Sequence, residues 1–154
     1  KPGTYRGQCA ELCGRDHGFM PIVVIAKTNE EYKQWVAEQK AKAEVVKAEA
    51  TKTFSMDELM AKGQEVYNAN CAGCHQPNGE GIPGTFPPIK GSPVATGAMD
   101  EHLNVVLKGK GDMMPAFEDS LNPVDVAAVV TYQRNAFGNN KGDMVQPSEI
   151  KSQH

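Results

Sequence analysis

Two short stretches of the chain combine cysteine and histidine at close spacing. The first, CAGCH at residues 71–75, has two cysteines separated by two residues and a histidine directly after the second. On one helical turn, Cys71 and Cys74 can reach two vinyl groups on one edge of a porphyrin, and His75 then points its imidazole at the iron. A thioredoxin-like redox pair would need a βαβ setting, and zinc would need a second ligand pair at suitable spacing. CAGCH therefore predicts covalent attachment of one c-type haem.

A methionine further along the chain is the predicted second axial ligand of this haem. The loop GKGDMMPAF contains Met113 and Met114, and the ring of Pro115 stiffens the segment that would deliver the Met114 sulfur. Methionine–histidine ligation raises the reduction potential and suits electron transfer, whereas an open position would suit ligand binding or catalysis. We predict Met114 as the ligand, with Met113 as the alternative. The remaining interpretation is that both methionines only fill the core.

The second stretch, CAELCGRDHGFM at residues 9–20, carries donor atoms that suit copper. Cys13, His17 and Met20 supply one thiolate, one imidazole and one thioether, as in the ligand loop of a cupredoxin. Cys9 adds a second thiolate, and two thiolates can bridge two copper ions. Zinc seldom takes methionine, so a zinc site is the weaker interpretation. Two disulfides are also weaker, because each cysteine pair already lies within a tighter signature.

Length, charge and hydropathy limit the remaining function classes. At 154 residues the chain has room for one ordinary domain, or for a small domain with an extension. Residues 1–52 hold nine Lys and Arg against seven Asp and Glu, whereas residues 53–154 hold seven against twelve. The acidic second part has no basic cluster, which argues against nucleic-acid binding. The longest apolar run, PIVVIA, has strand length and is far from the ~20 residues of a membrane span.

Periodicity and composition divide the chain into four predicted segments. Residues 1–27 are predicted to form a strand, a ligand-bearing loop and a second strand, too few for a stable sheet. Residues 28–53, rich in Ala, Lys and Glu, are predicted to form a helical linker. Residues 54–139 are predicted to form a compact helical domain, and residues 140–154 a flexible polar tail.

Capping residues mark the helices of the compact domain. Ser55 is predicted to cap its first helix, which leads directly into CAGCH. A Gly/Pro-rich loop follows, and residues 100–108 form a short predicted helix. Asn122 is predicted to cap the last helix, which Pro123 opens and Gly138 ends.

Residues 55–138 resemble a class I cytochrome c domain. The segments that carry the resemblance, in the family's order, are GQEVYNANCAGCH, FPPIKGSP, MPAF and VAAVVTYQRNAFGN. The resemblance implies that a proline carbonyl orients the proximal histidine; by position this is Pro87, with Pro88 as the neighbouring alternative. It also implies that the first and last helices cross and pack, with Gly63 and Tyr67 against Tyr132.

The first 24 residues, KPGTYRGQCAELCGRDHGFMPIVV, resemble the last strands of the CuA domain of cytochrome c oxidase subunit II. The resemblance implies two bridging thiolates, one histidine and one methionine that each bind one copper, and a backbone carbonyl that completes one coordination sphere. The residues in these positions are Cys9, Cys13, His17, Met20 and Glu11.

A CuA centre also needs a second histidine, which the family supplies from a strand far upstream. Of the remaining histidines, His75 is committed to the haem, His102 is predicted on the surface of a short helix, and His154 is the last residue. We therefore expect an incomplete CuA site in this chain. We also expect the chain to be the C-terminal part of a longer subunit, whose membrane helices lie upstream.

Together the two resemblances imply the layout of bacterial oxidase subunits II with a fused haem c. The implied fold is mainly α, a class I cytochrome c fold preceded by a truncated all-β cupredoxin tail and a helical linker. Electrons would pass from a soluble donor, such as a c-type cytochrome, through haem c to CuA. They would then reach the oxygen-reducing haem–copper centre of subunit I in a proton-pumping oxidase. By itself the chain would be an electron carrier, on the periplasmic or outer face of the bacterial cytoplasmic membrane.

Other interpretations share part of this pattern. A nitrous oxide reductase with a fused cytochrome uses a similar copper loop, and a nitric oxide reductase with a CuA subunit is comparable. A free c-type cytochrome carrier would explain CAGCH but would leave residues 1–26 without a role. A zinc-binding interaction module explains the smallest part of the sequence pattern.

Overall fold

The computed structural model describes residues 1–11, 18 and 20–150, and it divides the chain into two compact units, Lys1–Val45 and Val46–His154. Helices predominate, beside one small sheet. The elements are β1 (Gly3–Gln8), β2 (Pro21–Ala26), α1 (Asn29–Ala50), α2 (Met56–Asn70), α3 (Ala72–His75), α4 (Pro93–Thr96), α5 (Met99–Lys108), α6 (Pro123–Asn135) and a 3-10 turn (Pro147–Glu149). This composition is compatible with a cytochrome c fold preceded by a short β segment.

The two strands form an antiparallel pair, as the sequence predicted. Gly3 lies opposite Ala26 at one end and Gln8 opposite Pro21 at the other. The apolar residues at positions 22–25 of β2 are all about half exposed. A lone strand pair with an uncovered apolar strand is marginally stable in water, so the pair needs further contacts to persist.

Helix α1 is a solvated helix with a well-formed first turn. The Thr28 hydroxyl accepts a hydrogen bond from the Glu31 backbone at 3.2 Å, and the Glu31 carboxylate accepts one from the Thr28 backbone at 2.8 Å. None of its residues is buried. Its Ala, Lys and Glu content therefore supports it mainly through intrinsic helix propensity.

The core of the second unit is the crossing of α2 with α6. Ser55 and Glu58 exchange hydrogen bonds in a capping box that starts α2, and Asn122 caps α6, both as predicted. Residues 126–130 of α6 are fully buried. The helices approach so closely at Gly63 that an added Cβ would lie 2.2 Å from the Ala128 carbonyl oxygen. A side chain at this position would therefore separate the helices.

The segment after α6 differs from the flexible tail predicted for residues 140–154. Through residue 150 the structure holds it against α6, and residues 151–154 lie outside the described part. The Arg134 guanidinium is 2% exposed and donates to the Asp143 carboxylate from Nε at 2.8 Å and from Nη2 at 2.6 Å. Val145 is buried, and its backbone N–H donates to the Thr131 hydroxyl at 3.1 Å. Polar composition predicted a tail because the sequence does not show these long-range partners.

Reciprocal hydrogen bonds also tie the end of this segment to the start of the unit. The Gln146 side chain accepts from the Phe54 backbone N–H and donates to the Phe54 carbonyl, each at 2.9 Å. The two ends of the helical domain are therefore joined directly.

Within the part of the chain that the structure describes, no helix combines the length and apolar character that crossing a membrane requires.

Candidate haem site and copper-ligand segment

The CAGCH residues lie where α2 gives way to the short helix α3. The Cys71 carbonyl accepts hydrogen bonds from the Cys74 backbone at 3.1 Å and the His75 backbone at 2.9 Å. This tight turn displays both thiols and the imidazole within one helical turn, as covalent haem attachment requires. Cys71 is partly buried, Cys74 is exposed and His75 is buried.

The cysteine environment does not suit a thiolate redox pair. Burial, with a smaller contribution from the neighbouring Cys74, raises the pKa of the Cys71 thiol to about 11. Reactive cysteine pairs instead have depressed pKa values, because the thiolate is the nucleophile. The structure therefore favours attachment chemistry over thioredoxin-like chemistry at this motif.

A backbone carbonyl orients the His75 ring. Nδ1 of His75 lies 2.8 Å from the Pro87 carbonyl oxygen, so Nδ1–H donates and Nε2 remains available for a metal. The loop reaches this position by folding back closely: Gly81 has φ +66°, and a Cβ there would lie 2.4 Å from the Phe86 carbonyl. Pro87, the residue predicted for this role, thus makes the contact that the role requires.

The loop that carries the two methionines is also tightly folded. The Lys110 backbone donates to the Met114 carbonyl at 3.1 Å. Gly109 has φ +76°, and a Cβ there would lie 2.4 Å from the same carbonyl oxygen. Met114 is partly buried, whereas Met113 is 61% exposed. The burial difference supports Met114 as the residue directed toward a bound group.

One cavity of about 610 Å³ collects the predicted haem residues. Its volume is within the ~300–1,000 Å³ typical of ligand and cofactor sites. Most of its surface is apolar, supplied by residues such as Ile89, Val106 and Val129. Its walls include Cys71, Cys74, His75, Pro87, Met113 and Met114. The size, the apolar walls and the thiol, imidazole and thioether groups fit a covalently attached haem.

His102 lies in the wall of this cavity, and its predicted surface position was wrong. It is 2% exposed, and its Nε2 lies 2.8 Å from Gln133 Oε1. Among the described residues its Nδ1 has no hydrogen-bond partner. Sequence reasoning missed Gln133 entirely and misplaced His102. The available signal was spacing, since His102 follows Met99 by three residues and precedes Val106 by four on the apolar face of α5.

Burial of His102 predicts a pH-dependent stability of the helical domain. Burial lowers its pKa from 6.5 to about 4, and Arg134 lowers it further, while Gln133 and Asp143 oppose the shift. The unfolded chain therefore binds a proton first as the pH falls. Above pH 6.5 this difference in proton binding does not lower the free energy of unfolding. As the pH falls from 6.5 to about 4, the free energy of unfolding decreases by about 3 kcal/mol. Denaturant unfolding of the haem-loaded chain across this range should show the loss.

The matched variant for this prediction is His102→Gln, which does not titrate in the same range. We expect its unfolding free energy to vary less with pH by about 3 kcal/mol between pH 6.5 and 4. Equal pH dependence in both proteins would show that His102 is not the titrating group.

The structure describes only part of the predicted copper-ligand set. Cys9 Sγ lies 3.2 Å from the Glu11 carbonyl oxygen, and the Cys9 backbone donates to the Met20 carbonyl at 3.4 Å. Cys13 and His17 lie outside the described residues. Among the residues that are described, no group of three His, Cys, Asp or Glu side chains is placed to hold a metal. Copper binding stays a prediction, with Cys9, Glu11 and Met20 placed near one another.

Comparison with known proteins separates the same two parts of the chain. Residues 58–132 match the family described as cytochrome C oxidase, cbb3-type, subunit III, and residues 1–27 match cytochrome C oxidase subunit II, periplasmic domain. The chain is subunit II-like at its start and cytochrome c-like in its helical domain. This combination is the one that the sequence resemblances implied.

Individual relatives follow the same division. The chain is 32% identical over 146 residues to cytochrome c oxidase subunit 2 of Alkalihalophilus pseudofirmus, covering 88% of this chain and 40% of the relative. It is 36% identical over 100 residues to the cytochrome c subunit of a quinone alcohol dehydrogenase of Gluconobacter oxydans. This match covers 58% of this chain and 21% of the relative. It is 54% identical over 39 residues to cytochrome c oxidase subunit 2 of Zea mays. This match covers 25% of this chain and 15% of the relative.

The chain thus spans less than half the length of these relatives. Both of its parts are similar to proteins of oxidoreductase complexes. A cytochrome c domain implies haem c, and the subunit II match implies CuA.

Proposed function

We propose that this chain is the electron-transfer part of a cytochrome c oxidase subunit II. Electrons would pass from a soluble donor through haem c to CuA, and from there to the oxygen-reducing haem–copper centre of subunit I. The observation that carries the proposal is that Cys71, Cys74, His75 and Met114 line one cavity, in a chain whose first 27 residues match the subunit II periplasmic domain. By itself the chain is an electron carrier.

The residues of the helical domain have distinct tasks in this proposal. Cys71 and Cys74 would hold the haem through their sulfur atoms, and His75, whose ring the Pro87 carbonyl orients, would be a ligand of its iron. Met114 would supply its thioether sulfur as a further ligand of the iron. The apolar cavity walls exclude water, which keeps reorganisation on electron transfer small. Haem c, when bound, supplies reversible one-electron transfer, and its methionine–histidine ligation favours a raised potential.

The first segment supplies most of a CuA centre in this proposal. The side chains of Cys9, Cys13, His17 and Met20 would hold the copper ions, together with the backbone carbonyl of Glu11. The 3.2 Å approach of Cys9 Sγ to the Glu11 carbonyl supports this arrangement. The second histidine would come from another part of the complete protein.

The exposure of β2 supports a larger domain around this segment. Ile22, Val24 and Ile25 are each at least half exposed in the strand pair. We propose that the remaining cupredoxin strands cover them, on the periplasmic or outer face of the cytoplasmic membrane. Subunit I is the partner in the membrane, and a c-type cytochrome or a similar protein is the electron donor.

The alternative function is that of an electron carrier outside an oxygen-reducing oxidase. The similarity to the cytochrome c subunit of the Gluconobacter oxydans alcohol dehydrogenase favours it, because cytochrome c domains serve there in another oxidoreductase. It leaves the subunit II match over residues 1–27 unexplained.

A haem-stained denaturing gel of membrane and soluble fractions tests the proposal. Thioether-linked haem survives denaturation, so the stain follows the polypeptide. We expect a stained band in the membrane fraction that co-purifies with oxygen-reducing oxidase activity and copper. Changing both Cys71 and Cys74 to Ser should abolish the stain. Changing both Cys9 and Cys13 to Ser should retain the stain and lower the copper content of the complex, leaving only the copper of subunit I.

Each other outcome contradicts a defined part of the proposal. A stained band in the soluble fraction would contradict the oxidase assignment and favour the carrier. The absence of a stained band from the unmodified protein would show that CAGCH does not attach haem.

A further inference from the structure

A line of buried polar side chains runs from α5 through α6 to the haem attachment turn. Nε2 of His102 lies 2.8 Å from Oε1 of Gln133, and Nε2 of Gln133 lies 3.8 Å from Cys71 Sγ. His102 is 2% exposed and Gln133 is 3% exposed. The second distance is within the range of hydrogen bonds to sulfur. His102 and Gln133, which are remote from the attachment motif in sequence, thus form a line of contacts that reaches the Cys71 sulfur, to which the haem would be attached.

The chemistry of a thioether fixes the direction of every bond in this line. Once attached to haem, the Cys71 sulfur has no proton and can only accept. Gln133 must then direct its NH₂ group at the sulfur, which leaves its carbonyl oxygen facing His102. That oxygen accepts, so His102 must donate from Nε2.

The state of His102 agrees with this direction. A neutral imidazole carries one proton, so a proton on Nε2 leaves Nδ1 as a bare acceptor, and Nδ1 has no partner among the described residues. Burial keeps the ring neutral at physiological pH, because it lowers the pKa to about 4. The opposite amide orientation would place the Gln133 carbonyl oxygen against the sulfur lone pairs.

We propose that Gln133 donates a hydrogen bond to the Cys71 thioether sulfur and that His102 is the positioning residue that holds the Gln133 amide in this orientation. The inference rests on the proposed function, since it requires haem attached at Cys71. The donor places the positive end of its dipole at the edge of the porphyrin. Oxidation adds positive charge to the haem, so this dipole opposes oxidation and raises the reduction potential.

If His102 and Gln133 served only to pack α5 against α6, apolar side chains could fill the same positions. The neighbouring α6 residues Val129 and Val130 are fully buried, so apolar side chains pack well at this crossing. Burying an amide and an imidazole there costs free energy unless their hydrogen bonds are made. The interaction with the attachment sulfur accounts for an amide at position 133.

The test is the reduction potential of the full haem-loaded chain, measured by spectroelectrochemical titration. Gln133→Leu removes the donor, and we expect a lower potential than in the unmodified chain. His102→Phe removes the residue that fixes the amide, and we expect a smaller decrease. In the double variant we expect the potential of Gln133→Leu alone, because His102 acts through Gln133.

The control is Thr131→Val, which removes another buried hydrogen-bonding group of α6 without touching Cys71. We expect it to lower the unfolding free energy and leave the potential unchanged. If Gln133→Leu lowers stability but not the potential, the pair is only structural and the inference is overturned. The haem stain of the same samples separates this result from failure of haem attachment itself.

A second measurement serves if Gln133→Leu does not fold. Nitrogen-15 NMR of the reduced, haem-loaded unmodified chain reports which nitrogen of His102 carries the proton. We expect the Nε2–H form from pH 6 to 8. A proton on Nδ1 would overturn the inference without any variant.

Discussion

Gly63→Ala is expected to lower the free energy of unfolding of the helical domain by about 3 kcal/mol or more. An added Cβ would lie 2.2 Å from the Ala128 carbonyl oxygen and 2.5 Å from Tyr132 Cβ. Both atoms belong to the buried helix α6, whose backbone can move away only if the crossing opens. In an exposed helix interior the same change would instead stabilise by about 1 kcal/mol. The sign of the effect therefore reports the closeness of the two helices.

Gly73→Ala provides the matched control for this prediction. Gly73 is also helical, but a Cβ built there has no atom within 4 Å. Unfolding by denaturant, followed by haem absorbance and by circular dichroism, should place Gly73→Ala near the unmodified chain. A Gly63→Ala protein of unchanged stability would mean that α2 and α6 do not pack as closely as described.

Met114→Leu is expected to lower the reduction potential of the haem by on the order of 0.1 V or more. Axial ligands set haem potentials over a range of ~0.8 V, and loss of the thioether removes the ligand that favours the reduced state. Leucine has nearly the volume of methionine, so the fold should tolerate the change. Spectroelectrochemical titration measures the potential, and the sulfur-to-iron charge-transfer absorption of the oxidised protein should disappear with it.

The adjacent methionine supplies an internal control. Met113 is 61% exposed, and we expect Met113→Leu to leave both the potential and the charge-transfer band unchanged. The reverse pattern, with the loss in Met113→Leu alone, would reassign the ligand. No change in either variant would show that neither methionine of this loop binds the iron.

Features with a local cause could be read from the sequence. The caps at Ser55 and Asn122 depend on side chains two or three residues from the backbone groups they satisfy. CAGCH is equally local, because one helical turn contains all of its chemistry. The strand pair was predicted from composition and a connecting loop. In each case the partners are neighbours along the chain.

Features that were missed depend on partners far apart in the sequence. His102 was placed on the surface because no neighbour suggested a buried acceptor, yet it bonds to Gln133, 31 residues away. Asp143 looked like part of a polar tail, but the buried Arg134 guanidinium binds its partly exposed carboxylate and holds the pKa of that carboxyl below the usual range. Buried polar pairs of this kind are invisible to hydropathy patterns, since each member alone looks like a surface residue.

The reciprocal hydrogen bonds between Phe54 and Gln146 affect how this domain can be joined to other protein domains. Because Phe54 and Gln146 are hydrogen-bonded to each other, the points at which the chain enters and leaves the helical domain lie side by side. Attachment at one position imposes no strain on the host and requires no matching second junction. A domain closed in this way can be joined to different protein segments through a single junction.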